Sequence, residues 1–243
     1  MAKKRINMWS GPRNISTAIM YSFAQRSDTC VVDEPFYAHY LLQSGAKHPG
    51  RATVLESQPK DPAAVMQNLL ASGSQSDILF VKNMAHHMVN MNDSLEVLFN
   101  EFDPVFLIRN PKEMLLSLDK TLAEPNLRDT GYQQLLTLFE IAENNDLPLT
   151  VLDSRELLKD PEFVLSALCE KINISFDEAM LSWPPGPIPE DGVWAEHWYH
   201  SVHQSTGFKP YTAKEETLPN RLEPLFEHCK TIYDRLFAHA IKR

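Results

Sequence analysis

Ile6-Asn7-Met8-Trp9-Ser10-Gly11-Pro12-Arg13-Asn14-Ile15-Ser16-Thr17 is the stretch that decides the fold. A short apolar run turns through Ser-Gly-Pro into a basic residue and two hydroxyls, and Ala18 to Ala24 then reads as a helix. A strand turning through small residues into a helix N-terminus makes an anion site, because the first helical N–H groups lack partners and the helix dipole favours negative charge there. Arg13 adds a forked cation suited to phosphate, and Ser16 and Thr17 can donate hydroxyl hydrogen bonds. A plainer reading also fits: an ordinary strand-to-helix turn with an exposed Arg and a Ser N-cap. The pattern is not a Walker A loop, since the second Gly and the Lys of Gly-x4-Gly-Lys-Ser/Thr are missing.

Working outward, 243 residues with 43% hydrophobic and 23% charged side chains suit a globular protein with one sizeable core. One unit spanning 1–243 is the expectation. A net charge of -9 argues against a general nucleic-acid binder, which would show a basic face. A polyanionic ligand must then bind through local cations set against the overall field. Cys30, Cys169 and Cys229 are far apart, odd in number and without metal spacing, as in a reducing compartment. The basic start, Met1 to Arg5, is followed by too short an apolar run for a signal peptide. No stretch reaches the ~18 apolar residues of a membrane span. A cytoplasmic protein with no membrane or nucleic-acid partner is expected.

Along the chain, Thr29 to Pro35 reads as a second strand delivering Asp33 and Glu34 before a proline, and Phe36 to Leu42 as a short aromatic helix. Ser44 to Lys60 reads as a surface loop, and Asp61-Pro62 caps a helix to Ala71. Asp77 to Asn83 is a third strand, followed by His86 and His87. A helix over 93–100 leads to a fourth strand, Pro104 to Arg109, and Asn110-Pro111 starts another helix. A helix over 132–145, a strand over 147–153, a helix from Asp160-Pro161 to Ile172 and a long terminal helix from Leu222 complete the pattern. Trp183 to Pro189 is too proline-rich for regular structure. Buried strands alternating with helices predict a three-layer α/β/α fold around a mostly parallel sheet, with ligands beyond the carboxyl ends of the strands. Polar residues gather at those ends: Ser10 to Thr17, Asp33-Glu34, Lys82-Asn83, Arg109 and Asp153.

Two of these strand ends resemble the cofactor elements of sulfotransferases that use 3′-phosphoadenosine 5′-phosphosulfate (PAPS). Ser10 to Thr17 is similar to that family's 5′-phosphosulfate loop, Pro-Lys/Arg-Ser-Gly-Thr-Thr. Val105 to Leu118 is similar to its 3′-phosphate motif, in which a strand ends in Arg-Asp/Asn-Pro and a Ser follows eight residues after the Arg, as Ser117 follows Arg109. Leu152 to Pro161 resembles the Tyr-Glu-Asp-Leu-x-x-Asp-Pro segment. The chain looks nearest to bacterial-type sulfotransferase-like proteins, including relatives of segments attached to aminotransferase-like proteins. The resemblance implies a P-loop nucleoside triphosphate hydrolase-like fold, PAPS as donor and no metal. Two departures stand out. Asn14 and Ile15 replace the usual Ser-Gly, with Asn14 the residue expected to tolerate a left-handed conformation. The C-terminal basic-Gly pair is represented only by Gly207-Phe208-Lys209.

The resemblance assigns Gly11, Pro12, Arg13, Asn14, Ile15, Ser16 and Thr17 to the 5′-phosphosulfate, and Arg109 and Ser117 to the 3′-phosphate, with Lys209 as a further cation. Sulfuryl transfer also needs a base for the acceptor's proton. Glu34 is the first choice, with Asp33 pointing to the opposite face; alternatively Glu34 pairs with Arg13 and orients it. His86 is the rival base and His87 a bystander. Lys82 would contact the sulfate or bridging oxygen, or else be a solvated strand-end cation. The segment at about 183–209, rich in Trp, Tyr and His, suits a lid over adenine or acceptor, or a loop packing its own aromatics. The expected activity is transfer to a hydroxyl or amine of a small acceptor. A P-loop small-molecule kinase and a non-catalytic nucleotide-binding protein are the alternatives, and the oligomeric state stays open.

Overall fold

A computed structural model describes residues 4–72, 76–122, 124–213 and 215–243; Met1 to Lys3 of the basic start lie outside the described residues. The chain begins with strand β1 (Lys4–Ser10), helix α1 (Ser16–Ala24), β2 (Thr29–Asp33), α2 (Tyr37–Ser44), α3 (Arg51–Ser57) and α4 (Pro62–Ala71). Then come β3 (Ile78–Met84), a 3-10 turn at Ala85–His87, α5 (Asn92–Glu101), β4 (Asp103–Ile108), α6 (Pro111–Leu118), α7 (Leu127–Thr130) and α8 (Tyr132–Asn144). The last elements are β5 (Thr150–Asp153), α9 (Ser154–Lys159), α10 (Pro161–Lys171), α11 (Ala195–Trp198), α12 (His200–His203) and α13 (Glu223–Phe237).

The five strands form one all-parallel sheet in the order β2-β3-β1-β4-β5. Strand periodicity explains the layers. Ile6, Met8, Phe80, Val105, Leu107 and Leu152 face α1, α2 and α10, whereas Trp9, Leu79, Val81, Phe106, Ile108 and Val151 face α5, α6, α8 and α13. This is the expected three-layer α/β/α fold. All carboxyl ends lie on one edge, so the turns after β1, β2, β3 and β4 meet there.

Helix starts follow local chemistry. Asp61, Asn110 and Asp160 accept hydrogen bonds from Ala63, Lys112 and Phe163, each followed by proline at the first helical position. Several assignments change: α7 lies between α6 and α8, and β5 starts at Thr150 rather than Leu147. The stretch 44–60 holds α3; α9 precedes α10; and α11 and α12 follow the irregular Trp183–Pro189 run. All these helices are too short for apolar periodicity to mark, and each is anchored by one or two buried residues such as Val54, Leu157, Ala195 and Val202. Among the described residues, no helix is long and apolar enough to cross a membrane.

Candidate active site

The turn from β1 into α1 is built by close backbone approach. A Cβ on Gly11 would sit 2.8 Å from the Thr130 carbonyl oxygen, and Gly131, at φ 71°, packs over Gly11 and Pro12. The left-handed positions are Arg13 (φ 64°) and Ile15 (φ 60°), not Asn14. Asn14 instead ties the turn to the sheet: its Nδ2 donates to Leu107 O at 3.2 Å, and Ser154 Oγ lies 3.0 Å from Asn14 O and 2.9 Å from Ile108 O. Alternating φ sign turns successive N–H groups toward one point, the geometry of an anion nest. The N–H groups of Arg13 to Thr17 find no acceptor among the described residues. A β-branched side chain in the left-handed region is strained, and such strain gathers at functional sites.

The two segments that resemble phosphate motifs meet across this turn. Arg13 Nε donates to Ser117 Oγ at 2.9 Å, and Arg109 Nη1 donates to Arg13 O at 2.7 Å. Arg13 therefore engages Ser117 rather than Glu34. Burial and the neighbouring Arg109 charge both push the Arg13 pKa down, so an anion between the two guanidiniums would relieve their repulsion. Glu113 steadies Arg109, 3.4 Å from its Nε, and receives the Tyr211 hydroxyl at 2.6 Å. Tyr132 OH donates to Arg109 O. Glu113, Tyr132, Ser154 and Tyr211 carried no role in the sequence reading; only their spacing around the two motifs in space identifies them. Lys209 is exposed and makes no hydrogen bond or ion pair among the described residues.

At the ends of β2 and β3 a second cluster is fully buried. Lys82 Nζ donates to Asp33 Oδ1 at 2.7 Å, Glu34 Oε1 at 2.6 Å and Tyr199 OH at 2.6 Å. Lys82 is thus not a solvated strand-end cation. Asp33 does not point away from Glu34. Asp33 and Lys82 are register partners, so their side chains share a face. Strict alternation would send Glu34 to the other face, but Glu34 adopts φ 39° and turns back. Tyr199 OH receives Trp194 Nε1 at 3.0 Å as well as Lys82, which leaves its own proton for Asp33 Oδ2 at 2.8 Å. Gly192 N also donates to Asp33 Oδ2, at 3.2 Å. Asp33 therefore accepts more hydrogen bonds than Glu34. Burial, helped by the Asp33 charge and opposed by Lys82, raises the Glu34 pKa. Lys82 stays cationic because Asp33 and Glu34 outweigh its burial.

His86 and His87 lie beside these groups. His87 Nδ1 is 3.9 Å from Glu34 Oε2, and its ring stacks on Tyr37 and Tyr40. It is a close neighbour of the carboxylate rather than a bystander. His86 reaches the turn instead: a Cβ on Gly131 would be 3.8 Å from its Nδ1. Burial, helped by His48 and Arg128, pushes the His86 pKa down to about 3, so the imidazole is neutral near pH 7.

A parallel α/β sheet with a nest of unpartnered N–H groups at its carboxyl edge has the donor set of an anion site. Residues 4–236 match the sulfotransferase domain family, and the chain belongs to it. The chain is 37% identical over 235 residues to Branched-chain-amino-acid aminotransferase-like protein 1 of Arabidopsis thaliana, and 35% identical to its protein 2. Those alignments cover 96% of this chain but only 42% and 41% of the two plant proteins, so the chain spans under half of either relative. Among solved structures, the sulfotransferase domain from the Synechococcus PCC 7002 olefin synthase is similar at TM-score 0.56 and 16% identity, covering 93% of this chain and 94% of that one. The sulfotransferase from Alicyclobacillus acidocaldarius is similar at TM-score 0.57 and 13% identity, covering 98% and 96%.

Proposed function

We propose that this chain moves a sulfuryl group from PAPS to a hydroxyl or amine of a small acceptor. The observation that carries the reading is the contact between two anion-binding segments far apart in sequence, through Arg13 to Ser117 and Arg109 to Arg13 O. One phosphate cradle fits many ligands; two in contact fit a nucleotide with phosphates at both the 3′ and 5′ positions. The free N–H groups of the turn and the two mutually repelling guanidiniums have the donor set such a group needs.

In this reading Gly11 and Pro12 shape the turn, and the N–H groups from Arg13 through Asn14 and Ile15 to Thr17, with the Ser16 and Thr17 hydroxyls, hold the 5′ end. Arg109 and Ser117 hold the 3′-phosphate, with Lys209 as a rim cation. When bound, the donor supplies a sulfuryl group on a phosphate: its bond to the bridging oxygen breaks, the acceptor–sulfur bond forms, and the bisphosphate leaves with the electron pair. Glu34 takes the acceptor's proton, since it is the carboxylate with fewer donors and a raised pKa. Lys82 supplies positive charge and fixes Glu34 in place. The segment 183–209 acts as a lid, with Trp194 and Tyr199 closing over this cluster.

Calorimetric titration of the full chain tests the donor site. 3′,5′-Adenosine bisphosphate is expected to bind without magnesium and more tightly than ATP with it. Arg109→Ala should weaken the bisphosphate far more than adenosine 5′-phosphosulfate. Preference for magnesium-ATP would favour a small-molecule kinase.

A second reading, nucleotide binding without transfer, is favoured by one observation: Lys82 and Glu34 are buried and tied to Asp33 and Tyr199. Transfer by the parent chain separates the two, since binding without transfer leaves no sulfated product, and Glu34→Gln then tests the base. Loss of at least about a hundredfold in transfer with unchanged bisphosphate affinity supports the base role; unchanged transfer moves that role to His86 or elsewhere.

A further inference from the structure

A row of aromatic rings runs from the surface to the β1–α1 turn. Trp198, 38% exposed, has its ring centroid 6.4 Å from that of His48. His48 is 5.8 Å from Tyr40, and Tyr40 meets His86 edge-on at 5.2 Å. His86 ends the row beside Gly131, which itself packs on Gly11 and Pro12. The His86 side chain is 9% exposed, and its buried Nδ1 has no hydrogen-bond partner among the described residues. Native interiors rarely leave such an atom unused.

Arg128 overlooks this row. It projects from α7, whose start is fixed by a reciprocal cap between Asn126 and Asp129. Its Cζ lies 5.8 Å over the Tyr40 ring, it is exposed, and its guanidinium has no carboxylate partner among the described residues. The adjacent Asp129 carboxylate is occupied by Asn126 N at 3.0 Å. A cation stacked on an aromatic ring is oriented in advance, and its free fork matches a carboxylate. In a chain of net charge -9, such an uncommitted cation is where an anion is selected. The row lies at the Gly11–Pro12 end of the turn, whereas Arg109 and Ser117 lie at the Arg13 end.

We propose that Arg128 and the row Trp198–His48–Tyr40–His86 form the acceptor subsite, and that the acceptor is a planar hydroxylated compound bearing its own carboxylate. The carboxylate pairs with Arg128, the ring lies against the half-buried His48, and the hydroxyl points toward the turn by way of His86 Nδ1. That the bound compound is an acceptor rests on the transfer reading above; that it binds here does not.

The test is calorimetric titration of the full chain with 4-hydroxybenzoate and with 4-methylphenol, each with and without 3′,5′-adenosine bisphosphate. A charge-assisted pair at Arg128 should make 4-hydroxybenzoate about tenfold tighter or better. Arg128→Gln should erase that preference, and Arg128→Lys should restore part of it. The proposal is overturned if 4-hydroxybenzoate binds in neither condition, if the two phenols bind alike, or if Arg128→Gln keeps the preference. Titration with bisphosphate alone in the same series reports separately on the donor reading. Its failure would remove the donor and leave the Arg128 result legible.

Discussion

The neutral His86 imidazole ties the site to the stability of the whole chain. Its folded pKa, about 3, lies below its unfolded value of 6.5, so between those values the unfolded chain binds more protons. The stability this group contributes is complete above pH 6.5 and falls as pH drops toward 3. From pH 7 to pH 5 the loss from this group is about 2 kcal/mol. His86→Gln should be less acid-sensitive by that amount in urea unfolding at the two pH values; identical pH dependence would mean the imidazole is not held neutral. The sequence marks Glu34 and Lys82 as candidates at strand ends, and Glu34 and His86 also through the family resemblance. It does not show that Asp33 takes three donors while Glu34 shares one lysine, because that depends on the positive φ of Glu34 and on Tyr199 arriving from far along the chain.

The decisive element is the turn into α1. The family pattern places Gly where this chain has Ile15, and the backbone keeps the left-handed shape regardless, at φ 60°. That conformation costs about 1–2 kcal/mol for a non-glycine residue. Ile15 recovers part of it by packing, half-buried, against the core beneath α1 and α2. Ile15→Gly is therefore expected to leave stability within about 1 kcal/mol of the parent, as relieved strain offsets lost burial and added chain entropy. A loss of about 3 kcal/mol or more in denaturant unfolding would mean that packing, not strain, dominates there. Elements whose signals are local were legible: the capped helices at Asp61, Asn110 and Asp160, the five strands and the terminal helix. Helices α3, α7, α9, α11 and α12 were not, because a turn or two carries no periodicity and depends on what it packs against.

For the molecule as a whole, parallel pairing in the order β2-β3-β1-β4-β5 gathers the strand ends on one edge, and with them the local cations Arg13, Arg109 and Arg128 in a chain of net charge -9. By itself the sequence determined the layered α/β fold, through buried strands alternating with amphipathic helices, and brought out, through a family resemblance, the two segments proposed to bind phosphate. These are periodic or local properties, written within a few turns of chain. Only the tertiary structure decided that Arg13 rests on Ser117, that Lys82 is sealed between Asp33, Glu34 and Tyr199, and that Arg128 overlooks the rings beside His86. Each of those contacts joins side chains far apart in sequence, and such pairs are set by packing and burial rather than by any local preference.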